Sequence, residues 1–273
     1  MPPSIVVYDG SLAGLLSVVF DAFAVGLRVD RLERERDHAP GMFAAPARVA
    51  ADPEHARRVW TGLGRVAGFD RELVLRCWLF DTVEADTDVV RLVSRVFREG
   101  AWAAEDYRDE AVLRCRRVHK KMFREIHRTH AFVRFSEAED GLFVAKIEPD
   151  FDVLPLAVTH FEERYQDQEW VIWDDRRDYG FWFRPGDARS ALVGRPAGGA
   201  AADDVAPTAA SADEDGYRKL WRTYFESVDI AERANPRLHR AHVPVRYWRH
   251  LTEKHPDNAG ALPEDKRRRR SFG

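Results

Sequence analysis

Residues 110–184 are the stretch around which the rest of this chain is built, and it opens with a basic helix, EAVLRCRRVHKKMFREIHRTHA. Apolar residues recur at Cys115, Val118, Met122 and Ile126, three and four apart, so they share one face of a helix. Lys120, Lys121, Arg124 and Arg128 lie off that stripe, with Arg117 and His127 beside them. Between Arg114 and Arg134 there are eight Lys or Arg and one acid, Glu125, in a chain of 273 residues whose net charge is −3. That contrast points to a polyanion as partner and says nothing of what is done to it. The competing account is a solvated face paired with acids elsewhere, such as Glu162 and Glu163.

Downstream of this helix, AFVRF and GLFVAKIEP read as paired strands joined by the polar turn EAEDG. FDVLPLAVTHFEERY reads as a helix that tolerates Pro155 only in its first turn. QEWVIWDD and DYGFWF read as a hairpin. Helix, two strands, helix and two strands predict an antiparallel sheet with helices on one face. From Pro185 to Gly216 small residues, prolines and acids predominate, which predicts a disordered linker over 186–216. Helical order resumes in DGYRKLWRTYFESVDIAER, and the tail over 254–273, with its KRRRR run, reads as disordered and basic.

Upstream, SIVVY predicts a buried strand, and Ser11 caps the helix LAGLLSVVFDAFAVG. ARVAAD predicts a second short strand, Asp52-Pro53 starts another helix, and two further helical patterns follow. The fold class is therefore α+β. A strand–helix–strand start and a helical region fill residues 1–105, and an α+β core with two hairpins fills 106–253. YDGS carries one glycine where a phosphate loop needs several, so it reads as turn plus cap.

Cys77 and Cys115 are far apart in sequence and read as reduced core thiols. The chain has no CxxC and no zinc-finger spacing, so no metal or cofactor is expected in it. The apolar N-terminus lacks a basic n-region and is interrupted by Asp9 and Asp21, and no segment has transmembrane length. A cytoplasmic protein with no membrane partner is expected.

The motifs VVYDGSLAGLLSVVFDAF, HRTHAFVRF, KIEPDFDVLPLAVTHFEERYQDQEWVIWDDRR, YRKLWRTYF, ERANP and VPVRYWRHLTE, spread over residues 4–253, resemble an uncharacterised bacterial family of DNA-metabolism or DNA-repair proteins. Members of that family accompany a radical-SAM protein with helix-hairpin-helix features, and the domain also occurs fused to uracil-DNA glycosylases. The resemblance implies DNA and a radical-SAM protein as partners, and it carries no catalytic residues.

Arg117, Lys120, Lys121, Arg124 and Arg128 are the candidate phosphate contacts, and Arg246, Tyr247 and Trp248 the candidate stacking set. Trp170, Trp173 and Trp182 have the same capacity, although alternating aromatics in strands also make core. His119, His127 and His130 lack the i,i+4 spacing of a helical metal pair. His160 and Asp174, with Arg164 and Arg176, are candidates for a general base and phosphate clamp. A buried polar network uses the same residue types. Three readings follow: a nucleic-acid-binding accessory of a radical-SAM enzyme, a stand-alone nucleic-acid-processing hydrolase or base-processing enzyme, and a protein scaffold. Whether the chain is itself an enzyme is left open by its residues.

Overall fold

The computed structural model describes residues 4–39, 46–138, 141–194 and 242–251. It is an α+β protein with one parallel and one mixed sheet, and the chain divides into two compact units, Met1–Glu125 and Ile126–Gly273. The division falls inside the long basic helix, whereas the sequence places a boundary before it.

In the first unit the β-branched run Ile5–Tyr8 forms β1, with Val6, Val7 and Tyr8 buried. Ser11 caps α1 (Leu12–Ala24), its hydroxyl accepting from the Gly14 amide at 2.9 Å. Two parallel neighbours flank β1, giving the order β2-β1-β3 with β2 at Arg31–Arg34 and β3 at Ala47–Val49. The β3 strand was expected; β2 was not, because three of its four residues are charged and conceal the alternation. Leu32 and Arg34 face inward, and the arginine is tolerated there because it meets a buried acid.

Asp52 caps α2 (Pro53–Arg65), with Pro53 where its missing N–H costs nothing. The two helical patterns that follow become α3 (Glu72–Trp78) and α4 (Val83–Glu99). They are separated where Asp81 takes a positive φ of 63° and Thr82 caps the second. α4 buries two acids, Asp86 and Asp88, among its valines. Asp86 accepts from Arg34 Nε at 2.6 Å, Arg34 Nη2 at 2.8 Å and the Tyr8 hydroxyl at 2.7 Å. This network ties β1 and β2 to α4. Burial, then the Asp86 charge, pushes the Tyr8 hydroxyl far above the usual tyrosine range, so it stays a donor. Cys77 and Cys115 meet in the core of this unit as free thiols, the Cys77 Sγ lying 3.7 Å from the Cys115 carbonyl.

α5 (Glu110–Phe132) runs from the first unit into the second. AFVRF is therefore not a strand. The helix continues to Phe132, and Val133 and Phe135 pack on the second unit's core instead. That unit holds β4 (Ser136–Glu137), β5 (Phe143–Ile147), α6 (Leu154–Arg164), β6 (Trp170–Asp174), β7 (Tyr179–Phe183) and β8 (Ala191–Gly194), in the sheet order β4-β5-β6-β7-β8. Pro155 sits in the first turn of α6. β5 and β6 are parallel, which corrects the expected antiparallel arrangement. With α6 as the crossover, the chain returns in the same direction, as a β–helix–β unit requires. The remaining pairs are antiparallel, including the expected β6–β7 hairpin. Leu154, Ala157 and Phe161 of α6 pack with Trp170, Ile172 and Phe183.

Residues 191–194, which fall inside the segment expected to be a linker, pair with β7 as an edge strand. Leu192 is exposed there, so no inward apolar pattern announces the strand. The helix expected at 215–233, the linker beyond Gly194 and the basic tail lie outside the described residues. Among the described residues no helix is long and apolar enough to cross a membrane.

Candidate nucleic-acid interface

The rotational phase of α5 is set by its buried side. Ala111, Val112, Cys115, Val118 and Met122 point into the first unit's core, spaced so that each returns to the same face. Asp109 holds the start of the helix by accepting from the Ala111 and Val112 amides at 2.8 and 3.1 Å. With the inward side fixed, Arg117, Lys120, Lys121 and Arg124 are exposed.

The cations of this helix fall into two kinds. Arg114 grips the buried Asp88 with two bonds, Nε to Oδ2 at 2.7 Å and Nη2 to Oδ1 at 2.8 Å. Those bonds hold the Arg114 guanidinium well above its ordinary range. Arg116 donates to the Ala104 carbonyl at 2.9 Å and pairs with Glu105. Both are structural ties within the first unit. Arg117, Lys120 and Arg124 pair with no carboxylate among the described residues. Lys121 rests its ammonium 5.5 Å from the centre of the Phe80 ring. From Arg117 to Arg124 the helix rises about 10 Å, a length over which one nucleic-acid strand presents about three phosphates at roughly 3.4 Å each. On the same outer side Phe123 is 60% exposed. One position beyond Met122, Phe123 lies outside the apolar stripe, so its helical phase alone signals its exposure.

The other expected contacts have different surroundings. Arg128 belongs to the second unit and is half-buried. In the short 3₁₀ helix Val245–His250, Tyr247 is 7% exposed and its ring lies 5.3 Å from that of Phe132. Arg246 sits 4.9 Å over the Tyr247 ring and bonds Asp150 at 2.6 Å, and the Trp248 indole donates to the Val243 carbonyl at 3.0 Å. A ring already covered offers no face to a base, so Tyr247 packs here rather than stacks. Trp170 is buried in the core, and Trp182 is covered by the Arg184 guanidinium at 3.7 Å.

His160 and Asp174 are not joined by any described hydrogen bond or ion pair. The His160 ring stacks on His130 with centroids 4.3 Å apart, and His130 Nε2 donates to the Ala157 carbonyl at 3.1 Å. Burial, then the neighbouring His160, lowers the affinity of His130 for a proton. Asp174 is fully buried. It accepts from the Arg176 and Arg177 amides at 3.0 and 3.2 Å and from Arg177 Nη1 at 2.9 Å, which shapes the β6–β7 turn. Burial still raises its carboxyl above the usual range despite Arg177. Nearby, Tyr179 donates to Asp152, whose carboxyl burial also raises. Arg164 lies over the Tyr165 ring and the Arg176 guanidinium lies 3.9 Å from Asp150, so the side chains of His160, Arg164, Asp174 and Arg176 have separate partners, and the Arg176 amide alone meets Asp174. Among the described residues no group of three His, Cys, Asp or Glu could hold a metal ion.

Comparison with known proteins adds one family. The family model described as a domain of unknown function, DUF4130, matches residues 83–253, beginning at the first residue of α4. No curated protein matches the chain. A solved structure described as the pGpG-specific phosphodiesterase PggH from Vibrio cholerae is 11% identical and covers 83% of this chain and 100% of its own, with a TM-score of 0.34. A likeness at that level carries no argument about fold or activity.

Proposed function

For a chain that belongs to the DUF4130 family of domains of unknown function, we propose nucleic-acid binding through the outer face of α5. The observation that carries this reading is the division of labour among its cations. Arg114 and Arg116 are engaged by Asp88, Glu105 and a carbonyl, while Arg117, Lys120 and Arg124 stand exposed in a row and, among the described residues, pair with no acid. Any solvated helix face carries its charge opposite the buried stripe; what marks this one is that its charge is of one sign, in a chain whose net charge is −3. Phosphate contacts of this kind position a nucleic acid without reading its sequence, so little sequence preference is expected.

The finer part of the proposal makes DNA the nucleic acid and the protein an accessory to a radical-SAM enzyme in DNA metabolism, a role the family resemblance implies. A stand-alone hydrolase has less support, because His160 and Asp174 lie in separate networks. Titrating labelled duplex at several salt concentrations tests the core of the reading. About four phosphate contacts give a slope of log K against log salt near −3 to −4. Binding indifferent to salt would sink it. Replacing Arg117, Lys120 and Arg124 together with Ala should remove most of that slope while leaving the urea midpoint unchanged. Pull-down from native cells, with identification of bound proteins and crosslinked nucleic acid, tests the partner.

A further inference from the structure

Phe123 does not belong on a surface that works by charge alone. Its ring is 60% exposed, beside Arg124 and one helical turn from Lys120. Among the described residues no ring stacks on it and no cation covers it. Single exposed apolar residues are ordinary, so the comparison within the same unit matters. Three other large aromatics are exposed there, and each has a described partner. Phe23 meets the Phe97 ring edge-on, with centroids 5.8 Å apart. Trp102 has the Arg95 guanidinium 5.8 Å from its ring, and the Tyr107 hydroxyl donates to Glu105 at 3.3 Å. The surroundings of Trp102 and Tyr107 are acidic, with Glu105, Asp106 and Asp109 close in sequence. Among the described residues Phe123 is the uncovered ring of the four, and its neighbours are the cations that pair there with no carboxylate.

A ligand that covers this ring and satisfies those cations must carry negative charge and a flat apolar face together. A duplex presents its phosphates and keeps its base faces inside the stack. A single strand presents both. Building on the reading of α5 as a nucleic-acid surface, we propose that this face takes single-stranded nucleic acid, with one unstacked base lying on Phe123 and its flanking phosphates on Lys120 and Arg124. Every base has a π-face, so the contact selects for strandedness and not for sequence.

The test uses the full chain with three labelled probes: an oligothymidylate, a duplex of the same length, and heparin as a polyanion without bases. Phe123→Ala should weaken oligothymidylate binding roughly fivefold or more, the cost of one lost base stack. It should leave duplex and heparin affinity, and the urea midpoint, unchanged. Phe123→Trp should retain single-strand binding because it restores a ring. Equal weakening toward all three probes, or toward none, overturns the proposal. So does a change in sedimentation of the unliganded protein on Phe123→Ala, which would put a second copy on the ring. Failure of the underlying reading is separable: if Lys120→Ala and Arg124→Ala leave all three probes unaffected, the cationic face itself is wrong. If those two changes weaken all three and Phe123→Ala weakens none, only the stacking inference falls.

Discussion

Arg34 and Arg124 are the same residue type in the same unit, and their settings make them opposites. Arg34 is 4% exposed on an inward position of β2, gripped by Asp86 and bonded to the Trp78 carbonyl at 3.1 Å. Arg124 is exposed on α5 and, among the described residues, pairs with no acid. A buried guanidinium must have its charge answered inside the protein, because desolvation without a partner costs several kcal/mol. An exposed one needs no answer for folding and is available to a ligand. The lesson is that a count of arginines says little about binding until the paired ones are subtracted.

The sharpest way to break this contrast is to remove Arg34. Arg34→Met leaves Asp86, which has no exposed surface, with Tyr8 but without its cation. The expected loss is about 3–5 kcal/mol in urea unfolding. Arg34→Met combined with Asp86→Leu should recover part of it, since no buried charge is then left unanswered. A single variant as stable as wild type would show that the network carries no weight.

Arg114 lies between the extremes, with its own side chain partly exposed and its partner Asp88 buried. Arg114→Ala is expected to cost about 1–3 kcal/mol, the penalty of stranding a buried acceptor. It should leave the salt slope of nucleic-acid binding intact. A change in slope with no change in stability would move Arg114 into the binding face.

His130 gives the contrast a pH dependence. An unfolded histidine titrates near 6.5 (roughly), whereas burial and then His160 hold His130 lower in the folded chain. In the window between those values only the unfolded chain takes up the proton. Stability is therefore complete above about pH 6.5 and declines as the pH falls through the folded value. His119 and His250, both lowered chiefly by burial, act in the same direction. Urea midpoints measured down this range should fall less steeply in His130→Gln than in wild type. Parallel curves for the two proteins would remove His130 from the account.

Arg124→Ala is the smallest expected change in stability, within about 0.5 kcal/mol as for an ordinary surface position. Its effect belongs to binding, as a salt slope shallower by about one unit. If this substitution unfolds the protein instead, α5 is a structural element and the comparison with Arg34 collapses.

Local patterns carried the sequence reading a long way. The phase of α5, the caps at Ser11 and Asp52, the strand at Ile5–Tyr8 and the β6–β7 hairpin were all legible, because periodicity and capping act over a few neighbouring residues. The same periodicity put Arg117, Lys120 and Arg124 on the outside of the helix. What it does not contain is the identity of a distant partner. Arg114 and Arg116 count toward the local excess of positive charge, and nothing near them in sequence shows that Asp88, 26 residues away, and the 101–105 turn engage them. Tyr247 read as an open stacking ring until Phe132 covered it. β2 and β8 lacked an apolar alternation, and only pairing with β1 and β7 makes them strands. The parallel direction of β5 and β6 follows from α6 crossing the sheet between them. Local chemistry determined which residues of this chain form helices and which way their faces turn. Tertiary packing decided which charges remain unpaired, because pairing depends on groups brought together across tens of residues.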